Sequence, residues 1–188
     1  IAASHERLFV LFWGERQADP EGFVENWLNT HAFNAGERWV GQVRLATFGL
    51  SPASTQIPAT RLNARFGEAI TLEGYTLSAN TFAPGDLLRL TLFWRAATPL
   101  PERYKIFVHV FSSLDAPPEA QQDGEPVGGR LPTAQWEVGI QYADNHAVPL
   151  DLPPGEYQLA IGMYLPEGAR LPIRVEGVEV GNRLILEK

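Results

Sequence analysis

The stretch from Leu88 to Arg95 constrains the fold of this chain more than any other. Every second residue from Leu88 to Trp94 is large and apolar, and two arginines and a threonine stand among the residues between them. A period of two is that of a β-strand with one face buried and the other in water. The sequence Pro84-Gly85-Asp86 just before it has turn chemistry. The pattern predicts a half-buried strand that follows a tight turn.

A pattern of short strands separated by Pro/Gly turns extends from Phe66 to the end of the chain. It is typical of an antiparallel β-sandwich, either a jelly roll or an immunoglobulin-like fold. In residues 69–78 the apolar phase slips at Gly74, which predicts a β-bulge. Residues 104–111 are apolar in both phases, which predicts a central strand. Further strands are expected at residues 157–165, 171–175 and 183–186.

A different pattern precedes the sandwich. Residues 7–13 are uniformly apolar, which predicts a strand covered on both faces. Asp19-Pro20-Glu21 starts a helix whose stripe of Phe23, Trp27 and Leu28 we expect to pack into a core. A strand at residues 38–50 follows, and strand, helix and strand normally form a right-handed parallel crossover.

The fold class is therefore predicted as mostly β, an antiparallel sandwich preceded by a small βαβ unit. We expect the βαβ unit at residues 1–50, docked on the sandwich or on sequence upstream. Residues 51–65 are predicted as a linker because two prolines interrupt a polar, aperiodic stretch. The sandwich is expected at residues 66–188.

Composition narrows the classes of function. A net charge of −7 with only two lysines argues against nucleic acid and anionic membranes as partners, because both require clustered cations. The absence of cysteine excludes disulfides, thiolate catalysis and cysteine-based metal sites. No apolar run has the length of a membrane span. The first residue is isoleucine and no targeting segment follows, so we expect a piece cut from a longer chain.

A glycan contact would use an exposed aromatic ring with amides or charged groups beside it. Such residues cluster in and next to the turn-rich stretch of residues 117–132. We favour the alternative, in which Trp136 plugs the edge of the sandwich while Asp123 and Arg130 make local turn or ion-pair contacts. The candidate ligand-binding residues are Gln122, Asp123, Arg130, Trp136, Tyr142 and Asp144.

His109 lies in an apolar strand, where a buried ring needs a hydrogen-bond partner, and we expect Asp123 to provide it. A metal site would require His109, Asp123, Asp144 or His146 to converge, but the chain lacks ligand spacing within one element. We expect no metal, no cofactor and no catalytic residue. The stretch 124–129 lacks the Lys-Ser/Thr ending of a phosphate loop, and no G-x-S-x-G elbow is present.

Short motifs in both halves follow one another in a recognisable order along nearly the whole chain. In the first half they are Phe12-Trp13, Asp19-Pro20-Glu21-Gly22, Trp27-Leu28 and Val43-Arg44-Leu45. In the second half they are Phe66-Gly67, Leu72-Glu73-Gly74-Tyr75, Pro84-Gly85-Asp86, Phe93-Trp94-Arg95, Phe107-Val108-His109-Val110, Gln122-Asp123-Gly124-Glu125-Pro126, Pro132-Thr133 with Trp136, Pro154-Gly155-Glu156-Tyr157 and Gly162-Met163-Tyr164.

In this order the chain resembles the soluble C-terminal region of polytopic, glycosyltransferase-like membrane proteins of bacteria, relatives of the dolichyl-phosphate-mannose type transferases. The resemblance implies a domain on the extracytoplasmic side of the membrane, attached to an enzyme whose catalytic carboxylates lie outside this fragment. It implies a non-catalytic accessory domain whose partner is glycan or the membrane part of its own parent chain. Two alternatives stay open: a general protein-interaction sandwich module and, more remotely, a glycoside hydrolase-like enzyme.

Overall fold

The computed structural model describes residues 4–51 and 57–186, which form a mostly-β, sandwich-like fold of two sheets. A mixed sheet of nine strands has the order β1-β3-β2-β9-β6-β5-β4-β11-β12, and an antiparallel sheet of four has the order β13-β10-β7-β8. The elements are β1 Arg7–Phe12, α1 Glu15–Ala18, α2 Phe23–His31, β2 Phe33–Val40, β3 Val43–Gly49, β4 Thr60–Phe66, β5 Ile70–Leu77, β6 Asp86–Ala96, β7 Lys105–Phe111, β8 Ala120–Gly124, β9 Gln141–Leu150, β10 Gln158–Tyr164, β11 Ile173–Val175, β12 Val178–Gly181 and β13 Leu184–Leu186.

The main core lies between the two sheets. The alternating residues of β6 point into it, as predicted, and meet the inner faces of β7 and β10. The outer face of β6 is less open than its sequence predicts, because Thr91 is 6% exposed and Phe93 is fully buried. β6 runs between β5 and β9 in the middle of the large sheet, so both of its edges are hydrogen-bonded to neighbouring strands. β7 lies between β8 and β10, so the predicted central strand is confirmed.

Gly74 forms the predicted bulge. The register of β5 against β6 shifts between Leu72 and Gly74. The backbone φ of Gly74 is +155°, and a Cβ atom there would lie 2.3 Å from the carbonyl oxygen of Thr60. Only glycine fits such a conformation this close to a neighbouring strand, which explains the phase slip in the sequence.

The predicted parallel crossover is wrong. β1 pairs antiparallel with β3, and β2 pairs antiparallel with β3 on the other side. The stretch predicted as one strand at residues 38–50 is a hairpin, because Gly41 adopts a left-handed φ of +62° and reverses the chain. β2 then joins the sandwich sheet through a parallel pairing of Asn34 with His146.

The predicted helix is present as α2. The carboxylate of Asp19 accepts the backbone N–H groups of Phe23 and Val24 at 2.8 and 2.9 Å, although the N-cap position itself is Gly22. These two hydrogen bonds lower the pKa of Asp19, since they favour the charged carboxylate. The aspartate therefore fixes the start of the helix from one turn upstream.

The segment at residues 51–65 divides into two parts. β4 begins at Thr60, inside the stretch predicted as a linker, and residues 52–56 lie outside the described residues. β8, β9 and β12 also fall where no strand was predicted. The division of the chain into separate units stays a prediction, since one nine-stranded sheet contains strands from both sides of this segment.

Candidate functional site

Trp136, the predicted sugar platform, faces inward. The side chain is 4% exposed and belongs to the main core. Its ring stacks on Tyr142 with centroids 5.3 Å apart, and its Nε1–H donates to the carbonyl of Leu131 at 3.1 Å. The hydroxyl of Tyr142 accepts the backbone N–H of Glu137. The prediction of an exposed stacking platform is wrong, and the alternative, a tryptophan packed into the sandwich, is confirmed.

A hydrogen-bonded cluster lies on the outer face of the four-stranded sheet. The Nε2 atom of His109 is 2.8 Å from Oδ1 of Asp123, as predicted, and the Tyr164 hydroxyl donates to Oδ2 at 3.1 Å. Burial and the negative charge of Asp123 raise the pKa of Tyr164 to about 12. Tyr164 is therefore a neutral donor at ordinary pH, and both oxygens of Asp123 are engaged within the protein.

Two aromatic contacts close around this cluster. The rings of Phe107 and His109 lie 4.6 Å apart, and the guanidinium of Arg170 sits 4.5 Å above Phe107. A Cβ atom at Gly162, on the neighbouring strand β10, would lie 2.2 Å from the Phe107 ring. Glycine at this position lets the ring lie flat on the sheet, so the outer face is packed rather than open.

Asp144 and Gln122 meet inside the sandwich instead of on its surface. Asp144 is 1% exposed; Oδ2 lies 2.7 Å from Nε2 of His146, and Oδ1 accepts the backbone N–H of Val127 at 2.8 Å. The Nδ1 atom of His146 lies 2.5 Å from Oε1 of Gln122. The even-numbered residues of β9 face the opposite sheet, which explains why Asp144 and His146 are buried in this network, while Gln122 is half-buried.

Two asparagines extend this network toward the N-terminal part. The Asn34 amide donates to Oδ1 of Asn29 at 3.1 Å, and Asn34 pairs with His146 across β2 and β9. The carboxamide of Asn29 rests against Gly128, where a Cβ atom would approach it to 2.8 Å. The polar network therefore joins α2, β2 and β9 to the turn that Asp144 holds.

Arg130 is exposed and lies apart from the other predicted residues. Its backbone N–H donates to the carbonyl of Val127 at 3.2 Å, within the turn at residues 126–129. The pairs His109–Asp123 and His146–Asp144 stay separate. Within residues 4–51 and 57–186, no three His, Asp or Glu side chains converge on a point that could hold a metal ion. The six predicted ligand residues thus occupy several environments and do not form one site.

The largest unexplained surface lies on the N-terminal part, where sequence reasoning expected a core. The helical stripe was predicted to be buried, yet Phe23 is 71% and Trp27 52% exposed. β1 was predicted to be covered on both faces, yet Phe9 and Leu11 are 62% and 69% exposed. The reason is that α2 covers one face of these strands, mainly through Leu28, and nothing in the described chain covers the other.

We call this set of exposed side chains the N-terminal apolar surface. β1 ends the nine-stranded sheet, so its outer edge pairs with no strand of the described residues. The members of this surface lie on both sides of that end of the sheet: Phe9 and Leu11 are on the face that α2 leaves open, and Phe23 and Trp27 are on α2, which covers the opposite face. Its members are Phe9, Leu11, Trp13, Phe23, Val24, Trp27, Trp39 and Val40.

Salt bridges hold the framework beneath this surface. Arg44 donates to both oxygens of Glu25, at 2.7 and 2.6 Å, and to Glu37 at 2.6 Å. The pKa of Arg44 is raised above its already high value, chiefly by the hydrogen bonds to Glu25. Its guanidinium also lies 4.4 Å from the centre of the Phe12 ring. The helix and the hairpin are therefore fastened to each other, and the exposed rings are carried on a fixed support.

Comparison with known proteins adds no family. No protein-family model matches the chain, and no curated protein matches it. In the part of the chain that the structure describes, no helix is both long and apolar enough to cross a bilayer.

Proposed function

We propose that this chain is a non-catalytic accessory domain of a larger, glycosyltransferase-like membrane protein, on the extracytoplasmic side of the membrane. In this proposal the N-terminal apolar surface docks on the membrane-embedded part of the same parent chain. The observation that carries the docking is the exposure of Phe9, Leu11 and Trp27 on a fixed framework. The identity of the parent rests on the order of motifs along the sequence.

Burial of this surface would be favourable. Large apolar side chains exposed in such number in one part of a chain are uncommon on monomeric proteins and mark sites of interaction. Tryptophan and phenylalanine supply the anchors of most interfaces, because a large ring buries much area with few rotatable bonds. The ion pairs of Arg44 reduce the cost of ordering, since the rings are already held before a partner arrives.

The geometry supports docking better than glycan binding at the predicted residues. A sugar needs an exposed ring and free polar groups, whereas Trp136 and Asp144 are buried and Asp123 is already hydrogen-bonded. A general interaction module, the second candidate, would use the same N-terminal apolar surface with a separate protein as partner. The two candidates differ in the partner alone.

Photo-crosslinking in the full-length protein, in its own membrane, distinguishes them. A benzophenone amino acid replaces Leu11 or Trp27, and in a matched control it replaces Val178, which is 67% exposed on β12. Docking on the parent predicts intramolecular crosslinks from positions 11 and 27 to the membrane-embedded segments, and several-fold fewer from position 178. Crosslinks to a different protein would favour the second candidate. Equal, diffuse crosslinking from all three positions would contradict both.

The parent itself has a simpler test. The proposal expects repeated apolar segments of about 20 residues, the length of a membrane helix, in the gene upstream of this chain. Their absence there would overturn the membrane parent and leave the docking surface without its proposed partner.

A further inference from the structure

A cavity of about 460 Å³ opens at one end of the sandwich, and none of the six candidate ligand-binding residues lines it. It lies between the connection from β5 to β6 and the connection from β9 to β10. Small-molecule sites in proteins typically have volumes of roughly 300–1,000 Å³. The cavity is therefore large enough for a ligand and not only for a few waters.

The walls of the cavity are aliphatic and come from both sheets. Leu88 and Leu150 enter from the large sheet, and Val110, Leu159 and Leu186 from the small one. All five belong to the main core, so the interior of the sandwich reaches the surface here. Water in contact with such walls gains few hydrogen bonds, and its release by an apolar ligand is favourable.

The rim of the cavity is already fixed. The N–H of Gly85 donates to the carbonyl of Leu150 at 2.6 Å, and the N–H of Ala83 donates to Oδ2 of Asp86 at 2.7 Å. On the opposite side the hydroxyl of Tyr157 donates to the carbonyl of Pro153 at 2.9 Å. The two loops are thus held open by their own hydrogen bonds, and a ligand would not have to order them.

The polar groups at the mouth favour a ligand whose end group is uncharged over one whose end group is anionic. Asn80, Thr81 and Gln158 line it with uncharged side chains. Among the described residues that line the cavity, the charged side chain is that of Glu156, which is exposed to solvent. Its carboxylate repels an anionic end group, while the amides and the hydroxyl can hydrogen-bond to a neutral one. A sugar would leave most of its hydroxyls without partners against the leucine walls.

We propose that this cavity binds a linear aliphatic chain with an uncharged polar end, the chemistry of a long-chain alcohol. The chain lies against the leucines between the sheets, and the polar end stays at the mouth beside Asn80 and Gln158.

Isothermal titration calorimetry with hexanol, octanol and decanol tests the site. Burial of each methylene is expected to raise the affinity about fourfold, so the dissociation constant falls steadily along the series. Octanoate binds more weakly than octanol, and Glu156→Gln narrows that difference. Heats that do not saturate, or octanoate binding more tightly than octanol, would overturn the proposal.

Two filling variants locate the binding. Leu152→Trp and Pro154→Trp each place a large ring at the rim and are expected to weaken decanol binding at least tenfold. Leu114→Trp, on the connection from β7 to β8 outside the cavity, leaves it unchanged. Trp27→Gln removes a ring of the N-terminal apolar surface and should also leave it unchanged. If Trp27→Gln abolishes binding, or both filling variants bind like the wild type with intact circular dichroism, the cavity is not the site.

Discussion

The two parts of the molecule differ in what they do with their apolar residues. Residues 57–186 bury a main core of 23 residues between two sheets, whereas the second core, beneath α2, has six. Of the thirteen large apolar side chains exposed in the described chain, eight lie between residues 9 and 40. A core this small contributes little to stability on its own, while the exposed rings are available to a partner. The contrast indicates that the sandwich supplies most of the buried core, and in the proposed function the N-terminal part supplies the contact surface.

The largest expected effect lies at the junction of the two parts. Asp144→Ala leaves His146 without its acid and the Val127 N–H without its acceptor inside the sandwich. Each buried polar group that is left without its hydrogen-bond partner costs about 1–3 kcal/mol, and here there are two. We expect the free energy of unfolding, measured by urea denaturation, to fall by about 4 kcal/mol. The exposed Asp151→Ala is the control, with a change of less than about 0.5 kcal/mol.

If Asp144→Ala changes stability no more than Asp151→Ala does, the network does not hold the two parts together. Hydrogen exchange adds a sharper criterion. Because Asn29 and Asn34 connect the network to α2 and β2, faster exchange is expected in those elements as well as in β9.

The second prediction compares the effect of leucine-to-alanine substitutions in the main core and in the small core. Leu92 is fully buried in the main core. We expect Leu92→Ala to lower the free energy of unfolding by about 3 kcal/mol, within the range of about 2–5 kcal/mol for substitutions that leave such a cavity. Leu28→Ala, in the small core, should speed hydrogen exchange in residues 4–51 while the sandwich stays protected. Leu11→Ala, on the exposed surface, should be nearly neutral. Equal global destabilisation by Leu28→Ala and Leu92→Ala would show that the two parts unfold as one.

The third effect concerns the bulge of the sandwich. Gly74→Ala forces a Cβ atom against the Thr60 carbonyl at a φ that only glycine tolerates, so we expect a loss of about 2–4 kcal/mol. Gly168→Ala is the matched control, since its φ of +98° is also unfavourable for alanine but no atom lies within 4 Å. Thermal denaturation should give a clearly larger drop in Tm for Gly74→Ala. Equal drops would mean that backbone strain alone, and not the close approach of β4, requires glycine here.

The smallest effect is electrostatic. Hydrogen bonds from Arg95 and one from Gln141 lower the pKa of Glu73. A carboxylate with a lowered pKa adds stability above its ordinary pKa, and that stability is lost as the pH falls through the value in the folded protein. The pair is partly exposed, so the contribution is below about 1 kcal/mol. Glu73→Gln should therefore be less stable than the wild type near pH 7, and the difference should shrink as the pH falls below the ordinary glutamate pKa of 4.5. A constant difference across this pH range would contradict the assignment.

Sequence reasoning predicted the sandwich best where a strand has one apolar face or lies in the centre. Strands β6 and β10 follow directly from their alternation, β7 follows from being apolar in both phases, and Gly74 is detectable because a bulge shifts the phase of the pattern. The polar strand β8 carries no such signal: Gln121, Gln122 and Asp123 resemble a loop. The hairpin at Gly41 is hidden inside a stretch that alternates like a single strand. A glycine within a strand pattern signals a bulge or close approach as often as a turn, so the reversal could not be inferred.

The candidate site was harder to predict for a related reason. Whether an aromatic ring is buried depends on the tertiary neighbours that cover it. Trp136, in a turn-rich stretch, packs into the core, whereas Trp27, on an amphipathic helix, faces outward. The His109–Asp123 contact could be predicted, because a histidine in an apolar strand requires a hydrogen-bond partner.

Cysteine protection tests the docking proposal most directly, because the chain contains no native cysteine. Leu11→Cys, and Val178→Cys as the exposed control, are labelled with a maleimide in the isolated chain and in the full-length protein in its membrane. We predict that position 11 reacts readily in the isolated chain and at least tenfold more slowly in the full-length protein, while position 178 reacts equally in both. Equal reactivity of position 11 in the two settings would contradict the account.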